Sequence, residues 1–157
     1  MQILLNNRQR KHPISTRRLK SAAMAILSAL GCPDDTELSV SIVGDRSIRI
    51  INRDYLGRDT PPNVISFSLQ EGDCSGVNPH AVGDVIISAD TTAREAEEGG
   101  LEFFERLIFL LLHGILHLRG YDHERSGEAA AKKMEQTERQ LFKTLKRNGL
   151  LNPAGSR

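Results

Sequence analysis

The residues with the clearest capacity for chemistry are three histidines in one short run, HGILHLRGYDH, residues 113–123. The whole chain has five histidines, so this run holds most of them. His113 and His117 are four apart. On a helix such residues differ by about 40° in rotation and about 6 Å along the axis. Both imidazoles then leave one face and can grip one small cation. Gly120 predicts a left-handed turn that ends the helix and brings His123 back toward the same ion. Three neutral imidazoles suit zinc and leave a fourth position open for water, the arrangement of catalytic rather than structural sites. Bound Zn2+ lowers the pKa of its water to about 7. Nickel, copper or iron would accept the same ligands. The alternative, three imidazoles packed in an apolar core, would leave several hydrogen bonds unmade.

Gly114 bears on the reaction. Helix-borne zinc peptidases, spaced H-E-x-x-H-x-x-G-x-x-H, keep a glutamate beside the first histidine to relay a proton from water. Glycine cannot do so, which argues against a peptidase. Phosphodiester cleavage needs charge stabilised on the phosphoryl and leaving oxygens, and a Lewis-acid metal with a nearby cation supplies much of that. Asp122, between the glycine turn and His123, can accept the second N–H of an imidazole or cap the turn. Asn63 and Ser66 are candidates to face the cleft near the metal and touch substrate. Their plain alternative is polar residues at the start and middle of a strand.

The elements that must position these groups follow from periodicity. Gln2–Leu5 is a short apolar strand. Ser15 offers an N-cap to a helix with Leu19, Ala22, Ala23, Ile26, Leu27 and Leu30 at helical spacing, ended by Gly31. Leu38, Val40 and Ile42 alternate with serines as a half-buried strand. Asp45 is placed to cap a helix through Ile48, Ile51 and Tyr55. Two β-rich runs follow, Asn63–Leu69 and Val82–Ser88, joined by a flexible loop. Asp90 is placed to cap an acidic helix that Gly99-Gly100 ends. Leu101–Arg119 is apolar on nearly every side, which predicts a central buried helix. Glu128–Arg147 closes the chain with Met134, Leu141 and Leu145 on one face. The order β-α-β-α-β-β-α-α-α predicts an α+β fold: a single domain with a four-stranded mixed sheet and about five helices around the metal-bearing helix. Residues 1–150 are expected to form that metallohydrolase domain and residues 151–157 a frayed tail.

With 157 residues and a net charge of +1, the chain fits one domain and has no global field for a polyanion. The charge is unevenly spread. Residues 1–20 carry six bases and no acid, and residues 90–105 carry six acids against one base. Residues 132–147 are again basic. Cys32 and Cys74 stand alone, which predicts reduced thiols and no disulfide. The apolar run Leu107–Leu118 is too short for a membrane span, and the N-terminal stretch is too short for a signal peptide. The chain reads as cytoplasmic.

The residues also resemble a known family. HGILHLRGYDH is similar to the signature of the YbeY family, metal-dependent bacterial endoribonucleases of ribosomal RNA maturation. Asn52-Arg53-Asp54-Tyr55-Leu56-Gly57-Arg58-Asp59 with Pro62-Asn63-Val64-Ile65-Ser66-Phe67 resembles its N-x-x-Y-R-x-K-D-x-P-T-[DN]-V-L-S-F-P block. Gly83-Asp84-Val85 resembles its G-D-[IV] strand, and Met134 with Glu138 its M-x-x-x-E closing helix. The resemblance implies an α+β fold and one zinc held by His113, His117 and His123. It implies hydrolysis of single-stranded RNA or ribosomal RNA, with ribosome quality control as the setting and the ribosome or its proteins as further partners. Where the family has arginine after the tyrosine this chain has Leu56, and its lysine two positions on is Arg58. Pro62 stands for a threonine and Ser68 for a proline. Arg58 becomes the candidate for the catalytic cation, because a guanidinium binds phosphate through two donors. Two other readings compete: an RNA-binding ribosome factor whose zinc is structural, and a metal-dependent hydrolase of another bond, such as a peptidase.

Overall fold

The computed structural model describes residues 1–69, 80–121 and 127–151. Four strands form one mixed sheet: β1 (Gln2–Asn7), β2 (Glu37–Val43), β3 (Val64–Ser68) and β4 (Ala81–Ser88), in the order β1-β2-β4-β3. β1 and β4 run parallel to β2, and β3 runs antiparallel to β4 at the sheet edge. Five helices complete the chain: α1 (Thr16–Ala29), α2 (Asp45–Leu56), α3 (Ala89–Gly99), α4 (Phe103–Leu118) and α5 (Gly127–Arg147). The α+β architecture, element order and mixed sheet match the sequence reading. The loop expected to be flexible, Gln70–Ala81, lies outside the described residues over 70–79, Cys74 included, while its last residue, Ala81, opens β4. Cys32 is a buried free thiol.

Alternation divides the sheet into two faces. Leu38, Val40 and Ile42 of β2, with Val85 and Ile87 of β4, join the main core beneath α1, α4 and α5. Val43, Ile65, Phe67 and Ile86 turn to the other face, where Ile48 and Ile51 of α2 cover them. α4 is the central element. Leu107, Ile108, Leu111, Leu112, Ile115 and Leu116 are each 0% exposed, as a helix apolar all round must be. No described helix is long and apolar enough to cross a membrane. The main core also takes in a residue just beyond α5. Leu151 is buried within it, and residues 152–157 lie outside the described residues.

The helix termini hold a correction. Ser15 caps α1 as expected, its hydroxyl accepting from the Arg18 N–H at 3.3 Å. Asp45 and Asp90, however, do not cap their own helices. The N-cap position of α2 is Gly44 and that of α3 is Ser88, whose hydroxyl accepts from the Thr91 N–H. Each aspartate instead serves the other's helix. The Asp90 carboxylate accepts from the Asp45 N–H at 2.9 Å, while Asp45 accepts from the Ser88 and Thr91 hydroxyls at 2.6 and 2.7 Å. Sequence windows see only local partners, and here the cap comes from 45 residues away. His12 pairs with Asp90 at 3.1 Å and stacks on Phe103, so the same cluster ties down the segment before α1 and the start of α4.

Both carboxyls ionise more readily than an ordinary aspartate. For Asp90 the Asp45 N–H is the main cause, with His12 adding to it against some burial. Burial opposes ionisation of Asp45, but hydrogen bonds from Ser88, Thr91 and Arg94 together outweigh it. A carboxyl with a depressed folded pKa stabilises the fold above its unfolded value, near 3.9, and that contribution is lost as pH falls through the folded value. Asp90→Ala should therefore cost about 1 kcal/mol near neutrality, the worth of a helix cap. The gap between wild type and variant should shrink below about pH 4. Urea midpoints followed across that range check it, and a gap that stays constant would refute it.

Candidate metal centre

The site is built on the pairing of α4 with α5. Glu105 meets Lys146, Phe109 meets Phe142, and His113 meets Glu138. Each step of four residues forward on α4 matches four backward on α5, as antiparallel helices in register require. His113 Nδ1 lies 2.6 Å from Glu138 Oε2. Glu138 is only 8% exposed, so this carboxylate is committed to the imidazole rather than to water. A carboxylate partner accepts a proton from Nδ1, the tautomer that leaves a lone pair on Nε2. That Nε2 is 3.2 Å from Nε2 of His117.

Two imidazole nitrogens converging in this way fit a tetrahedral cation. Zn–N bonds of about 2.0–2.1 Å at the tetrahedral angle put neighbouring ligand nitrogens roughly 3.3–3.4 Å apart. Among the described residues no group of three histidines, cysteines or acids is gathered at metal-binding distance. His123 and Asp122 lie outside the described residues. The turn expected before them is present: α4 ends at Leu118, and Gly120 has φ +92°.

Sequence reasoning gave no role to Glu138. It does for His113 what was suggested for Asp122. The available signal was an acid four residues after Met134, on the same buried face of α5. An acid in the core stripe of an amphipathic helix needs a buried partner.

Ser66 falls on β3, which packs beside α4, and Asn63 lies just before that strand. The Ser66 hydroxyl donates to the Gly114 carbonyl at 2.9 Å, on the backbone between the two histidines. Asn63 donates to the Glu95 carboxylate at 3.1 Å, which also takes Arg106 at 2.9 Å. Arg58 sits in the loop after α2. Its side chain is exposed, and its backbone N–H bonds to the Asn52 carbonyl. That loop is pinned on both sides. Buried Asn52 donates to the Thr60 carbonyl at 2.8 Å, and Arg49 holds Asp59 at 2.8 Å. Leu56, at the end of α2, is 52% exposed, and Tyr55 beside it is 75% exposed with its ring edge-on to Phe67.

Gly114 has a structural cause. A Cβ there would lie 2.7 Å from Cγ1 of Val85 and 3.2 Å from the Ser66 hydroxyl. Position 114 faces the sheet, so no glutamate fits there whatever the reaction. The absence of an acid therefore reflects how closely α4 lies on β4 and carries less about substrate than the spacing suggested. Gly83 of β4 is constrained in the same layer. Its φ is +146°, and a Cβ would overlap the Phe67 carbonyl and come within 2.9 Å of Leu118. The family motif G-D-[IV] thus has a packing reason in this chain.

Comparison with known proteins decides the family. The family model described as Endoribonuclease YbeY matches residues 4–146. The chain belongs to the YbeY endoribonuclease family. Endoribonuclease YbeY of Geobacter sulfurreducens is 61% identical over 151 residues, covering 96% of this chain and all of that protein. Its counterpart in Geobacter metallireducens is 62% identical over the same coverage. The solution structure of TM1509 from Thermotoga maritima shares the fold over the full length of both chains, with a TM-score of 0.60 at 22% identity. In this chain the histidine pair lies on α4, which carries more buried residues than any other described helix.

Gly114→Ala tests the packing. Alanine gains about 1 kcal/mol of helix propensity, but overpacking costs about 1–3 kcal/mol, and branched Val85 has little room to yield. Urea denaturation should show net destabilisation of up to about 2 kcal/mol. A more stable variant would show that α4 can lift from the sheet.

Proposed function

We propose that this endoribonuclease cuts single-stranded RNA in ribosomal RNA maturation and quality control, using one zinc ion held by His113, His117 and His123. Substrate location sets the compartment as the cytoplasm, with the ribosome or its proteins as partners, and residues 1–150 as the catalytic domain. The observation that carries the reading is the convergence of the two Nε2 atoms at 3.2 Å, with the far side of His113 locked on Glu138. A chain built only to pack would have no use for a buried carboxylate spent on fixing one imidazole tautomer.

When bound, zinc supplies Lewis acidity toward phosphoryl oxygen and a water made acidic enough to ionise near neutrality. The chain's own residues do the rest. Glu138 keeps Nδ1 of His113 protonated and its ring fixed. Asp122 is the candidate to orient the neighbouring His123 imidazole. Arg58, on a loop fastened by Asn52 and Asp59, offers a phosphate two parallel donors where Leu56 offers none. Asn63 and Ser66 line the path at the sheet edge. The donors that hold them are committed to Glu95 and Gly114, so they contribute shape and oxygen acceptors. The rival hydrolase of another bond, such as a peptidase, would need a base supplied from elsewhere than position 114, and the structural-zinc alternative would need a fourth protein ligand.

His117→Ala should lose bound zinc by elemental analysis and abolish cleavage of a labelled single-stranded RNA. Equal cleavage by wild type and variant would end the nuclease assignment of this site. Glu138→Gln should fold normally yet bind zinc about 10- to 100-fold more weakly in chelator competition. Unchanged affinity would reduce Glu138 to a packing residue. Arg58→Ala should leave zinc content intact and lower kcat/KM about 10- to 100-fold, the loss of one charge-assisted contact. Full activity in that variant would remove Arg58 from the mechanism.

A further inference from the structure

The basic stretch 132–147 has no role in the site described above, although it contributes Glu138. It carries six bases and two acids, and one of those acids is the buried Glu138. Beyond Glu138, between α5 and α4, lies an open groove of about 360 Å³ lined by Phe109, Arg139, Phe142, Lys143 and Lys146 along with Glu135. Its floor is aromatic: Phe109 and Phe142 meet edge to face at 5.4 Å, and each is half-buried. The Arg106 guanidinium lies 4.9 Å over the Phe109 ring. On the rim, Lys146 is 3.9 Å from Glu105. Arg139 and Lys143 are exposed, one helical turn apart, and have no ion pair with any described residue. Glu138 lines the groove and also holds His113, so the groove reaches the back of the histidine pair. Phe109 and Phe142 lie one turn further on, about 6 Å along the helices.

An aromatic floor beside unneutralised cations is the chemistry of a single-stranded nucleic-acid subsite, where bases stack and phosphates meet Lys and Arg. The volume falls within the range of small-ligand pockets and above what a lone side chain would need. We infer that this groove is a subsite for one nucleotide of the substrate strand, adjacent to the nucleotide being cut. The base rests against Phe109 and Phe142, and the backbone phosphates are held by Arg139 and Lys143. No side chain of the groove is arranged to read base edges bidentately, so the subsite accepts any base and extends grip rather than sequence choice. The inference rests on the endoribonuclease reading and adds to it a direction for the strand, along α4 and α5 away from the histidines.

The test uses the full zinc-loaded chain and a labelled 2′-O-methyl oligouridylate, with binding followed by fluorescence anisotropy across a salt series. Arg139→Ala with Lys143→Ala should weaken binding and reduce the slope of log K against log salt by about 1.4, two phosphate contacts at about 0.7 each. Phe142→Leu should weaken binding roughly 5- to 150-fold, the worth of one stacked base, without changing that slope. Lys132→Ala with Lys133→Ala removes the same charge from exposed positions of the same helix outside the groove, and should leave the slope as in wild type. Equal losses in both double variants would reduce α5 to a diffuse basic surface and overturn the subsite. Groove variants that bind like a wild type that cleaves RNA would overturn the subsite alone, leaving the nuclease reading intact. A wild type that neither binds nor cleaves RNA would overturn both. Loss of hexaglutamate binding in the groove variants, with RNA binding unchanged, would assign the groove to an acidic peptide and overturn the proposal.

Discussion

The distance between α4 and β4 controls this molecule. A helix normally stands off a sheet by the thickness of its side chains, but at position 114 no Cβ intervenes and Val85 fills the space. The same close approach lets the Ser66 hydroxyl bond the Gly114 carbonyl and forces Gly83 on the strand beneath Leu118. Because residues on a helix are fixed relative to one another, seating position 114 on the sheet also fixes positions 113 and 117. The two histidines project from a helix whose rotation and depth are set by apolar packing on the remaining sides. Ligands of a metal must be held to within fractions of an ångström, and the core holds this histidine pair firmly enough to meet such a demand.

Around that seat the other elements act as fasteners. The crossed aspartates join the starts of α2 and α3, and through His12 and Phe103 they reach the start of α4. α5 then closes over α4 with residues matched turn by turn. Its apolar stripe is interrupted once, at Glu138, and that interruption is the polar contact that sets the chemistry of His113. Stability and function share one interface, so substitutions near it are expected to affect both.

Much of this was readable from the sequence because it depends on local period or on chemistry at fixed spacing. The i, i+4 histidines, the alternation in β2, the Ser15 cap and the glycine ends of α3 and α4 depend on neighbours a few residues away. The cases that escaped depend on distant partners. Asp45 and Asp90 each look like a cap for the helix they begin, and only the fold reveals that they exchange roles. Gly114 invited a chemical explanation because its neighbours are histidines, whereas its cause is Val85, nearly thirty residues upstream. Glu138 was visible as part of a motif, yet its partner lies 25 residues earlier on another helix. Leu151 belongs to the core because α5 ends in a turn that folds it inward.

The bond between Glu138 and His113 has a consequence for the order of events during synthesis. α4 leaves the ribosome before α5, so a nascent chain can present both histidines while the carboxylate that bonds His113 has not yet been made. Until α5 docks, His113 is free to carry its proton on either nitrogen, and the pair is not committed to a cation. Maturation of the centre therefore waits on the final helix. The last helix to be made is thus the one that completes the polar contact on which His113 depends.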